Sequence, residues 1–170
     1  IFLSFADVKQ NNYIDAVAKV KNIIIDVYAQ YEKLYLGDGM SPLQKQQYYS
    51  VNSEMSDVTA QDSLKMLASH LSNYYGKNVI ILLDEYDTPM QEAYIHGYWD
   101  EFTSFLRSMF NSTFKTNPYL ERAVMTGITR VSKESMFSDL NNLNVVTTTS
   151  EEYSTSFGFT EDEVFSSLDK

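Results

Sequence analysis

The chain has 170 residues, 44% of them hydrophobic and 14% aromatic, with a formal net charge of −10, no cysteine and two histidines. That length suits one domain around a single core, and the apolar content excludes intrinsic disorder. The acidic balance argues against direct nucleic-acid binding by this segment, the missing thiols exclude disulfides and thiolate metal sites, and no apolar run approaches the ~20 residues of a membrane helix, so a cytoplasmic location is expected.

Taken in order, Ile1-Phe2-Leu3-Ser4-Phe5 is an apolar run of strand length, which places the first residue inside a buried strand and implies that something upstream has been removed. Val17, Val20, Ile24, Val27, Tyr31 and Leu34 recur at spacings of three and four, predicting one long helix with Gly37 as its left-handed C-cap. Residues 38–56 are polar and read as a surface insertion, with Ser41-Pro42 opening one short helix. A further amphipathic helix runs through Leu64, Leu67, Ala68, Leu71 and Tyr75 and closes at Gly76. Val79-Ile80-Ile81-Leu82-Leu83 is continuously apolar, as expected of a central parallel strand covered on both faces.

Pro89 cannot join a sheet ladder, so the strand must stop near Asp84 and the cluster Asp84-Glu85-Tyr86-Asp87 falls at its carboxyl end. After a loop through His96 and Gly97, Phe102, Phe105, Leu106, Met109 and Phe110 mark another helix, ended by Asn117-Pro118. Arg122 to Thr126 reads as a strand, Gly127 to Asn142 as a polar loop and Asn144 to Thr148 as a last strand, while Thr160 and Glu163 form a capping box for a C-terminal helix. Strands alternating with helices predict an α/β fold with a mainly parallel sheet in a three-layer arrangement.

Four apolar residues followed by Asp-Glu at a strand end can present two carboxylates with different tasks. Alternation along a strand would turn Asp84 toward a metal and Glu85 toward an attacking water. The short pattern alone fits a strand ending in solvated acids equally well. Its context is more specific: Val79 to Pro89 resembles the Walker B segment of the predicted AAA-ATPase-like family, found mainly in bacteria. Thr126-Gly127-Ile128-Thr129-Arg130-Val131-Ser132-Lys133-Glu134-Ser135-Met136-Phe137, then Leu140-Asn141-Asn142-Leu143, then Phe157-Gly158-Phe159-Thr160, resemble further segments of that family in order. Ser132 and Asp139 depart from the small Ala and Gly expected there.

The resemblance implies a P-loop NTPase-like core, with residues 1–170 as one partial domain whose N-terminal phosphate-loop strand is missing. It implies ATP and Mg²⁺ as ligands of the full-length protein, and in many relatives a PD-(D/E)XK nuclease-like domain further along. By position Asp84 would serve the metal, Glu85 would act as catalytic base and Thr126 would correspond to a sensor of the γ-phosphate or attacking water. A strand-end Thr satisfied by backbone is an equal reading. Arg130 could reach a transferring phosphoryl, or form a surface salt bridge to Glu134 or Asp139. Asp87 reads as a loop-organising acid, its turn fixed by Tyr86 and Pro89.

No G-x-x-x-x-G-K-[ST] occurs, and the six glycines never adopt that spacing. This segment is therefore expected to bind no cofactor tightly and to be inert by itself, and the family resemblance implies a phosphate loop one strand and one helix upstream of Ile1. His70 and His96 read as solvated or capping residues, and the Tyr48-Tyr49 and Tyr74-Tyr75 pairs as core and surface aromatics. The alternative from another class is a non-enzymatic protein-interaction scaffold on a degenerate ATPase fold. A metal-dependent nuclease using Asp84, Glu85 and Asp87 is disfavoured because no catalytic Lys accompanies them. A homo-oligomer or a protein partner stays open.

Overall fold

In the computed structural model, which describes residues 1–128, 143–154, 156 and 158–168, the chain starts with a short strand, β1 (Phe2–Ser4). Helix α1 (Tyr13–Ala29) begins at Asn12, whose side chain accepts the Asp15 amide, and buries Ala16, Val17, Val20, Ile24, Val27 and Tyr28. The single long helix expected here breaks after Ala29: Gln30 and Tyr31 donate to the carbonyls three residues back, and this tightened turn ends α1. Helix α2 (Glu32–Leu36) follows, and Gly37 is extended (φ −82°, ψ −175°) rather than a left-handed cap.

Helix α3 (Pro42–Tyr49) opens with a reciprocal capping box between Ser41 and Gln44 and has Pro42 in its first turn. Helix α4 (Asp57–Tyr75) is capped by Ser56 and closed by Gly76 in the left-handed region (φ 66°). Its apolar stripe, Ala60, Leu64, Leu67 and Leu71, lies in the core. His70 shares that stripe and is buried, contrary to the solvated role expected of it. It bridges the two preceding helices, with Nδ1 2.9 Å from the Tyr35 hydroxyl and Nε2 3.0 Å from Gln47 Oε1. Gln47 Oε1 can only accept, so Nε2 carries a proton, and in the neutral ring that burial favours Nδ1 accepts a hydrogen bond from the Tyr35 hydroxyl. Tyr48 stacks on Tyr35 with ring centroids 3.9 Å apart, completing the attachment of α2 and α3 to α4.

Strand β2 (Val79–Asp84) leads to α5 (Thr88–His96), α6 (Trp99–Phe110), a π-helical turn (Asn111–Lys115) and β3 (Leu120–Met125). The stretch containing α5 was expected to be a loop. Only Pro89, Met90 and Ala93 of this helix are buried, so its apolar periodicity is too sparse to read from sequence.

The sheet order is β1-β2-β3, both pairings parallel, with Ser4 opposite Asp84 and Leu83 opposite Met125. Repeated right-handed crossovers stepping in one direction put their helices on one face, and α1, α4 and α6 pack there with Leu3, Ile81 and Leu83. The expectation of cover on both faces is not met among the described residues, since Phe2, Ile80, Leu82 and Val124 on the other face are exposed.

The expected fourth strand is not formed either: residues 143–147 are irregular. Its Thr- and Ser-rich end satisfies its own backbone, the Thr147 amide donating to Ser150 Oγ and the Ser150 amide to the Thr147 carbonyl, each at 2.9 Å. Such local side-chain bonds compete with a sheet ladder. Helix α7 (Glu161–Leu168) is preceded by the expected box, with the Thr160 amide donating to Glu163 Oε2 at 2.8 Å, and it buries no residue.

Candidate active site

Three strand ends meet at the carboxyl edge of the sheet, the edge where parallel α/β sheets carry their sites. Asp84 is the last residue of β2, between Ser4 at the end of β1 and Thr126 just beyond β3. Thr126 Oγ1 donates to Asp84 Oδ1 at 2.6 Å, and Ser4 Oγ donates to Asp84 Oδ2 at 3.3 Å. Both carboxylate oxygens are thus held by hydroxyls from the flanking strands. Thr126 Oγ1 also accepts the Glu85 amide at 3.4 Å, so this hydroxyl spans two consecutive acidic residues.

Strand alternation does not separate the two acids as expected, because β2 ends at Asp84. Glu85 adopts a left-handed conformation with φ 50°. That region is costly for a residue with a Cβ, so the surrounding contacts must impose it. They are the Thr126 hydroxyl on the Glu85 amide and the Thr88 hydroxyl, which donates to Glu85 Oε2 at 2.8 Å. The turn, rather than the pleat, sends the Glu85 carboxylate toward the start of α5 while Asp84 stays between the strands.

Beyond the strands the pairing continues as a clasp of two turns. The Thr126 amide donates to the Leu83 carbonyl at 2.9 Å and the Tyr86 amide to the Thr126 carbonyl at 3.0 Å. Asp87 is buried, and its Oδ2 accepts the Ile128 amide and Gln91 Nε2, each at 3.1 Å. This confirms a loop-organising acid at Asp87. Arg130, Ser132 and Asp139 lie outside the described residues.

Sequence reasoning missed Ser4 and Thr88, and also Gly127, where an added Cβ would lie 2.5 Å from Asp87 Oδ1. Ser4 had one signal, a hydroxyl interrupting an otherwise apolar strand, but its contact with Asp84 depends on register across the sheet. His96, 3.4 Å from Glu92, takes no part. Among the described residues no group of three or more His, Cys, Asp or Glu side chains could hold a metal ion. The donors at this strand end, the Asp84 and Glu85 carboxylates with the Ser4 and Thr126 hydroxyls, are all hard oxygens, the kind that suits Mg²⁺ when phosphate oxygens and water complete its shell.

Comparison with known sequences gives the class. The profile of the predicted AAA-ATPase family matches residues 1–137, and the chain belongs to that family. It is similar to a protein described as "Uncharacterized protein in vnfD 5'region" from Azotobacter chroococcum mcd 1, 32% identical over 90 residues. That alignment covers 52% of this chain and 17% of the relative, so the chain spans a small part of the relative's length. No solved structure matches it. Among the described residues no helix is long and apolar enough to cross a membrane.

Proposed function

We propose that this chain supplies the Walker B and sensor portion of a cytoplasmic, ATP-hydrolysing domain, and that the grip on the nucleotide's phosphates comes from parts of the parent protein outside these 170 residues. The observation that carries the reading is the Thr126 hydroxyl 2.6 Å from Asp84 at the strand end, with Glu85 in a constrained left-handed turn beside them. Asp84 would hold Mg²⁺, which when bound neutralises charge on the transferring phosphoryl. Glu85 has its carboxylate steadied by Thr88, so it can take a proton from water without swinging freely. Thr126 offers a hydroxyl that can turn from Asp84 to a phosphate oxygen or the attacking water. Arg130, two residues beyond Ile128 in sequence, is the candidate cation for the phosphoryl charge.

The test uses the full-length parent protein and ATP with Mg²⁺. Glu85→Gln should keep nucleotide bound while lowering turnover by about 10²–10⁴-fold, the range for removing a general base. Asp84→Asn should shift the Mg²⁺ dependence to higher concentration. The 170-residue chain alone should show no tight ATP binding by calorimetry, because it lacks the loop whose amides and Lys hold the phosphates. Full activity of Glu85→Gln would overturn the assignment, and tight binding by the short chain would move the nucleotide site elsewhere.

A further inference from the structure

We infer that Asp87 is a positioning residue which, through the backbone of Gly127 and Ile128, sets the Thr126 hydroxyl against Asp84. Its catalytic consequence rests on the ATPase reading above, and its structural half is testable without it. Asp87 occupies the N-cap position of α5 yet makes no side-chain capping bond. An Asp there ordinarily accepts an amide of the first helical turn. Here the carboxylate points across to the neighbouring strand's exit, taking the Ile128 amide and the Gln91 side-chain amide on one oxygen.

At 1% exposure this carboxylate is costly to bury unless its hydrogen bonds are kept, so it acts as a fixed anchor. Gly127 shows how close the two turns come. A Cβ there would lie 2.5 Å from Asp87 Oδ1 and 2.8 Å from Tyr86 Cε1, so no larger residue fits while Asp87 holds its place. The Tyr86 amide on the Thr126 carbonyl secures the other side. Thr126 itself is exposed and its placement comes from these flanking bonds, with the Asp87 contact two residues along the chain.

The experiment compares Asp87→Ala, Asp87→Asn, Gly127→Ala, Thr126→Val and the Asp87→Ala/Thr126→Val double variant of the full-length parent. Hydrogen exchange read by mass spectrometry should rise at least about tenfold across residues 126–128 in Asp87→Ala and Gly127→Ala, with the α4 peptides unchanged as a check on folding. Turnover of ATP in Asp87→Ala should fall about 10²-fold, the scale of an ångström-level misplacement, with KM within about threefold. Asp87→Asn should recover part of this loss, since its amide oxygen can still accept the Ile128 amide. In the Thr126→Val background Asp87→Ala should cost under about threefold more, because a residue acting through Thr126 has nothing left to place. Unchanged exchange at 126–128, or full multiplicativity of the two substitutions, overturns the inference. A parent without turnover defeats the ATPase reading, and the exchange result then decides the clasp alone.

Discussion

The two faces of the sheet are made from the same residue types and end in opposite states. On β2, Ile81 and Leu83 are 0% and 1% exposed beneath the helices, whereas Ile80 and Leu82, one residue away on the other side of the pleat, are 51% and 42% exposed. Apolarity did not decide which face is covered. The strand order did, because successive parallel crossovers stepping in one direction return every helix to the same side. The covered face carries the hydrophobic core of the protein. The carboxylates emerge at its edge, where polar side chains can be aimed without being buried in the core.

The sharpest way to break this contrast is truncation on the two faces in turn. Ile81→Ala or Leu83→Ala should cost about 2–5 kcal/mol in urea unfolding, the range for an emptied core site. Ile80→Ala or Leu82→Ala should cost under about 1 kcal/mol, because their side chains keep much of their solvent contact. Equal losses on both faces would mean that the open side is covered in solution.

A smaller effect is expected at the edge where the strand leaves the covered body. Glu85→Gly removes the Cβ from a left-handed residue and should stabilise the chain by up to about 1 kcal/mol, while abolishing turnover of the parent. Stability lost together with activity would assign Glu85 to the scaffold instead.

The smallest concerns the polar pin within the helical layer. Burial holds the His70 ring below its ordinary value of 6.5. The unfolded chain therefore binds the proton more readily than the native one, so the stability from neutral His70 is complete above that pH and is lost as pH falls through it toward the lowered native value. The charged ring would also place a proton on Nδ1, facing the Tyr35 hydroxyl that now donates to it. Unfolding free energies measured between pH 7.5 and pH 5 should fall in the native chain, and this acid slope should shrink in His70→Gln.

Much of the acid edge was legible before the fold. A β-branched apolar run closed by a proline-limited acidic turn has few alternatives, so β2 and the strand-end position of Asp84 could be read directly. The helix punctuation at Ser41 and Gly76 was equally local and is found where expected. Asn144 to Thr148 looked like a strand because β-branched residues favour extended backbone, but its hydroxyls could satisfy the chain nearby without a partner strand. Helix α5 was missed for the converse reason, with too few buried side chains to mark a period.

The amino-acid order alone therefore determined the family resemblance, the alternation of strands and helices, and the acids that end β2. These depend on spacing and on residue chemistry within a few positions. Only the tertiary structure decided which sheet face is covered, that Ser4 and Thr126 share the Asp84 carboxylate, that His70 is buried between Tyr35 and Gln47, and that Asp87 reaches Ile128 instead of capping its own helix. Each of these joins residues from separate parts of the chain. Their meeting is set by strand register and crossover direction, quantities that no local pattern carries.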